Sequence, residues 1–432
     1  MKVIMIKPGF GDIIQNYPLN DGRMEPLQMA VLAALTPPDI DIVFYDDRAE
    51  SIPFDEHADL VAITVDTFNA RRAYEIADEF RRRGVKVVLG GFHVTLLPEE
   101  AGRHADAIVV GDAELVWGKV LSDARNSAMQ HVYRGEFGAP QAGTIPRRSI
   151  FKGKGYIPVS LVQFGRGCLY DCSFCSIAQF FGRSHHTRPV SEVLREIEAD
   201  DLRILLFTDD NLTANREKAK ELFRALRGRK AHWACQVSID AADDPEMLDL
   251  MAESGCMGQL IGFDAIDSPT LKWMRKKPNL HLGDRYAGVI DRLRSYGFQT
   301  WASFILGGEF DTPGTIRDTV QFAIDNKFTL AFYHILQPYP GTDLYRQLHR
   351  EGRLLYDGKW WLHPDFRYNS STFVPKHMSP EELSEAVIWA NRKFYSISSI
   401  FSRTLDRKTN MSTPMKLALH ARLNILIRQT ST

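Results

Sequence analysis

The sequence predicts an α/β protein: an N-terminal doubly wound parallel sheet, then a partial, six-stranded α/β barrel, then a small, mostly helical C-terminal region. Three observations carry this expectation. Short apolar runs alternate with helix-period segments up to about residue 125, the pattern of a parallel sheet with crossover helices. Six further strand-like runs recur between residues 159 and 336, with helical patterns between them. At 432 residues the chain is long for one domain. The expected division is a nucleotide-fold-like domain over 1–128, a linker over 129–158, the barrel over 159–345 and the helical region over 346–432.

Lys2–Ile6 is apolar and runs into Pro8-Gly9, a buried strand feeding a loop. Pro26–Leu35 has helical periodicity, and Asp41–Tyr45 and Leu60–Thr64 read as the second and third strands. Ala70–Arg83 is a helix stopped by Gly84. Val85–Leu89 and Ala107–Val110 are the fourth and fifth strands. Ligands on such sheets sit beyond the carboxyl ends of the strands. The chain places Thr64, Thr67, Gly90, Gly91, His93, Thr95 and Gly111 there. Residues 129–158 are rich in Gly, Pro and basic residues with little periodicity, which predicts a linker.

The barrel strands are expected at Val159–Phe164, Arg203–Phe207, Trp233–Val237, Gln259–Phe263, Thr300–Leu306 and Leu330–Leu336. Helical patterns separate them, at Ser191–Glu198, Arg216–Leu226, Pro245–Glu253 and Thr315–Asn326. In such barrels the chemistry sits at the carboxyl ends of the strands. Cys168, Cys172 and Cys175, spaced CxxxCxxC, lie just after the first of them. Thiolates hold iron–sulfur clusters, and a 4Fe–4S cluster takes four ligands. Three ligands with no fourth nearby point to a cluster with one open iron. A zinc site is the alternative; it wants four closed ligands, so His185 or His186 would complete it. Cys235 and Cys256 fall on or beside strands and read as small core residues.

Composition narrows the class. Hydrophobic residues make up 44% and charged residues 25%, ordinary for a globular protein. The net charge of −1 implies no pull toward nucleic acid. Five cysteines, three clustered, do not make a disulfide framework and fit a reducing compartment. The N-terminus lacks a signal-peptide pattern, and no run of about 18 apolar residues occurs. These features predict a cytoplasmic protein.

Two resemblances sharpen the reading. GRGCLYDCSFCSIAQFFG at 165–182, with Phe174 before the third cysteine, resembles the cluster loop of the radical S-adenosylmethionine (radical SAM) enzymes. LFTDDN at 206–211, CQVSID at 235–240, GCMGQLIGFDAID at 255–267 and TLKWMRKKPN at 270–279 resemble later segments of that family. ITVDT at 63–67, GGFHVTLLPEE at 90–100 and IVVGDAE at 108–114 resemble the cobalamin-binding domain found ahead of radical SAM domains. The DxHxxG signature of proteins that ligate cobalt through histidine is absent, as it is from many cobalamin-dependent relatives. Such a fold can also persist as a scaffold with an empty pocket.

The resemblance implies a 4Fe–4S cluster on Cys168, Cys172 and Cys175, with S-adenosylmethionine at the open iron and cobalamin as a further cofactor. Asp209 or Asp210 is then a candidate acceptor for the cofactor's ammonium group, and Ser303 a candidate donor to its carboxylate. Gln236 joins the cofactor-binding candidates. Asp264 stands where relatives carry glutamate near the ribose hydroxyls. A helix cap and turn is the lesser alternative for Asp209-Asp210-Asn211. His334 and Tyr339, at the end of the sixth strand, are candidates to face substrate.

The C-terminal region carries Trp360-Trp361, Phe366, Tyr368 and Phe373 in irregular sequence, where relatives close the barrel mouth. Packing against the barrel is the plainer expectation. Pro380–Tyr395 reads as a helix capped by Ser379. From residue 390 onward eight Lys or Arg face a single acid, Asp406. Lys416–Arg428 mixes apolar and basic residues, so it either packs on its own domain or lies on a membrane surface or partner.

The expected function follows from the resemblance. The enzyme would cleave S-adenosylmethionine reductively to a 5′-deoxyadenosyl radical and take hydrogen from an unactivated carbon of a small-molecule or lipid-like substrate. The electron would come from an external flavodoxin- or ferredoxin-type donor. With cobalamin bound, C-methylation in a biosynthetic pathway leads. With the pocket empty, rearrangement, cyclisation or dehydration replaces it. A non-catalytic, metal-stabilised binding protein is the reading of a different class.

Overall fold

The computed structural model describes residues 1–11 and 23–431. Six strands form the first sheet: β1 (Lys2–Lys7), β2 (Asp41–Asp46), β3 (Leu60–Thr64), β4 (Lys86–Gly90), β5 (Ala107–Val110) and β6 (Val132–Arg134). Their order is β2-β1-β3-β4-β5-β6, and every pair is parallel. The order reverses between β1 and β3, the switch point at which doubly wound sheets open a crevice. Val3 to Ile6 are all fully buried, as a strand covered on both faces must be.

β6 lies in the stretch expected to be a linker. Its three residues, Val-Tyr-Arg, are too short a run for periodicity to reveal, and pairing with β5 is what extends them. Arg148, in the same stretch, bonds Glu25 at 3.0 Å, Glu196 at 2.5 Å and Asp200 at 2.8 Å.

The second sheet contains β7 (Ser160–Val162), then, after the two-stranded antiparallel ribbon β8 (Gly165–Gly167) and β9 (His185–Thr187), β10 (Ile204–Phe207), β11 (His232–Val237), β12 (Cys256–Asp264), β13 (Gln299–Leu306) and β14 (Leu330–Ile335). Its order is sequential from β7 to β14 with β8 and β9 set aside, which is a partial barrel. Helices follow the strands as the patterns require, for example Arg216–Leu226, Pro245–Glu253 and Pro313–Asp325. The last begins at a Thr312/Thr315 capping box, two residues before the periodic run suggests.

The described chain forms two compact units. One comprises Met1–Leu161, Ser191–Asp201 and Lys359–Arg367, and the other holds Val162–Val190, Leu202–Gly358 and the chain from Tyr368. Trp360 and Trp361 are therefore not barrel residues. They are buried in the first unit, where Trp360 packs on Phe68 with ring centroids 5.1 Å apart. The C-terminal helix Pro414–Ser431 packs on its own unit: Gln299 donates to the Lys416 carbonyl at 3.0 Å, and Asn424 donates to the Thr329 carbonyl at 3.0 Å. Among the described residues no helix is long and apolar enough to cross a membrane.

Candidate functional site

The cysteine loop is built on closely packed glycines. Gly167 has φ +88°, and a Cβ there would meet the Ser184 carbonyl at 2.1 Å. A Cβ on Gly165 would meet the His185 ring at 2.8 Å. The β8–β9 ribbon closes this tightly because the loop between them must return to its own start.

The end of β10 holds that start in place. Asp209 accepts from the backbone amides of Phe164 at 3.0 Å and Gly165 at 2.5 Å, and Asp210 accepts from Gly167 at 2.8 Å. Asp209 is buried, and burial pushes its carboxyl up to about 7 against the pull of the two amides. Asn211 donates to Ser238 Oγ at 3.1 Å, and its Nδ2 lies 3.9 Å from Cys168 Sγ. Gln236 donates to the Asp210 carbonyl at 3.1 Å. The helix that follows, Arg216–Leu226, is capped by Asn215 instead. Asp209-Asp210-Asn211 is thus not a helix cap; it is the clamp on the loop.

Cys168, Cys172 and Cys175 are free thiols. Burial raises all three, Cys172 to about 12, so a bound metal must supply the charge that keeps them as thiolates. Their loop is pinned from several sides. Tyr170 donates to Asp240 at 2.8 Å, Asp171 pairs with Arg183 at 3.1 Å and Lys277 at 3.3 Å, and the Ser173 amide donates to the Met274 carbonyl at 3.0 Å. Among the described residues no three His, Cys, Asp or Glu side chains are grouped to hold a single metal ion. A cluster asks for something else, one thiolate on each of several irons. Three thiols on a clamped loop fit that donor set.

The barrel strands alternate. On β12, β13 and β14 the partly exposed positions include Leu260 and Gly262, then Trp301, Ser303 and Ile305, then Phe332 and His334, which is one face of the sheet. The register aligns Gly262 with Ser303, Ser303 with Phe332, and Ile305 with His334. Exposed Gln236 pairs in register with Leu260. Ser303, Gln236 and His334 therefore share the open face. Burial lowers the His334 pKa, partly offset by Asp264. Tyr339 lies in the turn beyond β14.

The sheet breaks register between Gly262 and Asp264, and Asp264 takes φ +61°. This bulge re-aims the carboxylate onto Lys276, 2.5 Å away. A Cβ on Gly262 would meet the Lys276 ammonium at 2.9 Å, so glycine is what admits the lysine. Asn279 donates to the carbonyls of Gly262 and Phe263, at 3.2 and 3.0 Å, satisfying backbone around the bulge. Burial lowers the Lys276 pKa, but Asp264 and the neighbouring Cys172 and Cys175 more than reverse it, and the net shift is upward. Sequence reasoning named Asp264 and missed Lys276. Its only signal was a place in the TLKWMRKKPN segment, where four basic residues look alike.

In the first unit, Thr64, Gly90, Gly91, Thr95 and Gly111 are partly exposed at the carboxyl ends of β3, β4 and β5. Two glycines there answer to their own chain. A Cβ on Gly111 would meet the Gly135 carbonyl at 2.1 Å, and one on Gly91 would meet the Val65 backbone at 2.9 Å. Thr95 joins the loops by donating to Gly91 and accepting from the Gly111 amide. Thr67 and His93 do not face the crevice. His93 is fully buried, with Nδ1 3.2 Å from Thr67 Oγ1 and Nε2 3.2 Å from Glu100. Glu100 also accepts from Trp361 at 2.8 Å and Lys359 at 3.1 Å. Burial opposes its charge, yet these donors hold its pKa down to about 2. Phe68 and Arg71, on the loop after β3, are engaged by Trp360 and by the His363 carbonyl. Thr64, Gly90 and Gly111 keep partial exposure at the strand ends, where ligands of such sheets sit.

Comparison with known proteins identifies both domains. The Radical SAM superfamily model matches residues 162–323, and the B12 binding domain model matches 22–120. The chain is 30% identical over 413 residues to the bacteriochlorophyllide d C-8(2)-methyltransferase of Chlorobaculum tepidum, covering 89% of each chain. It is 28% identical to the hopanoid C-2 methylase of Rhodopseudomonas palustris, covering 83% of this chain and 71% of that one. Among solved structures, the radical S-adenosylmethionine methyltransferase TsrM from Kitasatospora setae, with cobalamin and a [4Fe-4S] cluster bound, superposes with a TM-score of 0.69 at 15% identity, over 99% of this chain and 98% of that one. With both family models matched in one chain, and a relative aligned over most of its length, the chain belongs to the radical SAM enzymes that carry a B12-binding domain.

Proposed function

We propose that this chain is a cobalamin-dependent C-methyltransferase of a biosynthetic pathway, acting in the cytoplasm on a lipophilic small molecule. The observation that carries the reading is the pairing of the two modules in one chain that aligns along nearly its whole length with a bacteriochlorophyllide methyltransferase. The named substrates of that protein and of the hopanoid methylase are both lipophilic, which supports the substrate class.

When bound, the cluster and S-adenosylmethionine supply the hydrogen-abstracting radical, and cobalamin supplies the methyl group. The protein's own residues do the rest. Cys168, Cys172 and Cys175 hold the cluster, with Phe174 beside it. Asp209 stiffens the loop by taking two of its amides. Asp210, partly exposed, spends one oxygen on Gly167 and offers the other to the cofactor ammonium. Ser303 and Gln236 face the open side of the barrel, and Lys276 neutralises Asp264 beside the thiols. Thr64, Gly90, Gly91 and Gly111 present the crest of the first sheet to cobalamin, while Thr67 and His93 stiffen the loops beneath it. A flavodoxin- or ferredoxin-type donor delivers the electron.

The test is anaerobic reconstitution with iron and sulfide, followed by reductant, S-adenosylmethionine and methylcobalamin. We expect 5′-deoxyadenosine, lost in the Cys168→Ala/Cys172→Ala/Cys175→Ala variant together with its iron. That variant should still bind cobalamin, because its cysteines lie in the other unit from the first sheet. Full iron in the triple variant, or no 5′-deoxyadenosine from the wild type, overturns the enzyme reading. Deoxyadenosine without any cobalamin binding at high micromolar concentration replaces methylation by radical rearrangement, cyclisation or dehydration.

A further inference from the structure

The helix Ile397–Thr404 is inside out. A helix packed on a globular unit normally turns its apolar stripe inward. Here the inward face is polar: Ser399 and Arg403 are the buried residues. Arg403 is fully buried and donates to the carbonyls of Phe328, Thr329 and Phe394, each at 3.0 Å, and to Asn424 at 2.9 Å. Its guanidinium stacks 3.8 Å from the Phe394 ring centroid. The helix is therefore held mainly by its arginine; Ile400 is half-buried, and its other apolar side chains take little part in docking.

Those side chains point outward. Ile397, Phe401 and Leu405, spaced by four along one face, are 70%, 64% and 54% exposed. The flanking helices Pro380–Phe394 and Pro414–Ser431 add exposed Trp389, Met415 and Ile425. Scattered exposed hydrophobics need no explanation, but a periodic stripe on an inverted helix does.

The charge around the stripe selects what covers it. Arg392, Lys393, Arg407 and Arg422 are exposed between residues 386 and 431. The single acid in that span, Asp406, is buried and bonded to Arg294 at 2.9 Å. Two exposed acids belong to the same region, Glu385 one turn before Trp389 and Asp291 bonded to Lys408 at 2.9 Å, but the exposed cations outnumber them. Aromatic and aliphatic side chains among an excess of cations match an interface with anionic headgroups above and acyl chains below. Among the described residues no helix is long and apolar enough to cross a membrane, and the stripe is one face of a short helix, which fits a surface lying on the bilayer.

We propose that the C-terminal helices, through the Ile397–Phe401–Leu405 stripe and its surrounding cations, seat the enzyme on the surface of an anionic phospholipid bilayer. The proposal uses none of the residues that the catalytic reading uses, so either can fail while the other stands.

The experiment is flotation of the full-length, reconstituted protein with large vesicles of phosphatidylcholine alone or with phosphatidylglycerol at about 30 mol%, at low and high salt. We expect binding to the anionic vesicles, several-fold weaker at high salt and weaker still on neutral ones. The double variant Ile397→Ser/Phe401→Ser, at exposed positions, should keep its cluster and 5′-deoxyadenosine formation and lose at least about tenfold in partitioning. Arg407→Gln/Arg422→Gln should weaken binding to anionic vesicles only. No flotation of the wild type overturns the proposal, as does binding indifferent to lipid charge. A dimer in sedimentation equilibrium that the Ile397→Ser/Phe401→Ser variant makes monomeric, without vesicle binding, assigns the face to a second copy and overturns it too.

Discussion

Asp264 and Lys276 form a pair whose members are each costly alone. Asp264 is 4% exposed, and the Lys276 side chain 14%. Removing one partner leaves the other as an uncompensated buried charge. Lys276→Met should therefore destabilise the cluster-free protein by about 3–5 kcal/mol. Adding Asp264→Asn should recover more than half of that loss, since asparagine tolerates the left-handed backbone and carries no charge. Urea unfolding of the three variants checks it; simply additive losses would show that the pair is not coupled. Asp209 makes a different point. Its unfolded carboxyl titrates near about 3.9, and its folded one near about 7. Between these values the folded state holds the extra proton, so stability falls as pH rises from about 4 to about 7 and levels off above. Asp209→Asn removes that slope while forfeiting one amide acceptor. Urea midpoints measured at about pH 5 and about pH 8 should drop for the wild type relative to the variant; parallel profiles would mean that the two amides keep Asp209 ionised.

At the scale of elements, loops here are specified by close backbone approach more than by ligand access. Gly111 sits at φ +87° with the Gly135 carbonyl where its Cβ would be, so the loop after β5 and the loop after β6 touch through backbone. Gly111→Ala should cost roughly 2–4 kcal/mol, combining a strained φ with an overpacked contact. Gly118, in the helix Trp117–Arg125 of the same unit, has nothing within 4 Å of a built Cβ. Gly118→Ala should instead stabilise, by up to about 1 kcal/mol. Thermal unfolding of the pair tests the distinction, and equal effects would remove the backbone argument. The bulge in β12 works by the same logic: Gly262 yields the space that Lys276 occupies. An alternating strand pattern predicts β12 but not the register shift within it, because the shift is set by what packs on the strand.

On the scale of the whole molecule, chain order and spatial grouping part company. The helix Val190–Ala199 follows β9 in sequence, yet Ser191–Asp201 belongs to the first unit, drawn there by Arg148, which bonds Glu196 and Asp200. Lys359–Arg367 joins the same unit through Trp361 and Lys359 on Glu100. Neither placement is legible in local sequence, since each rests on long-range charge and aromatic contacts. What the sequence determined by itself is the part written in periodicity and spacing: two parallel sheets, six barrel strands, the three-cysteine loop at the end of the first, and through these the family. Those features are local, and each repeats often enough along the chain to outweigh any single residue. Tertiary structure alone decided which side chains answer to which. It committed Asp209 to two amides, His93 to Thr67 and Glu100, and Lys276 to Asp264, and it turned Ile397, Phe401 and Leu405 outward. A carboxylate, a histidine or a leucine reads the same in sequence whether it meets a ligand, a backbone amide or water; burial and distance settle which, and both exist only once the chain has folded.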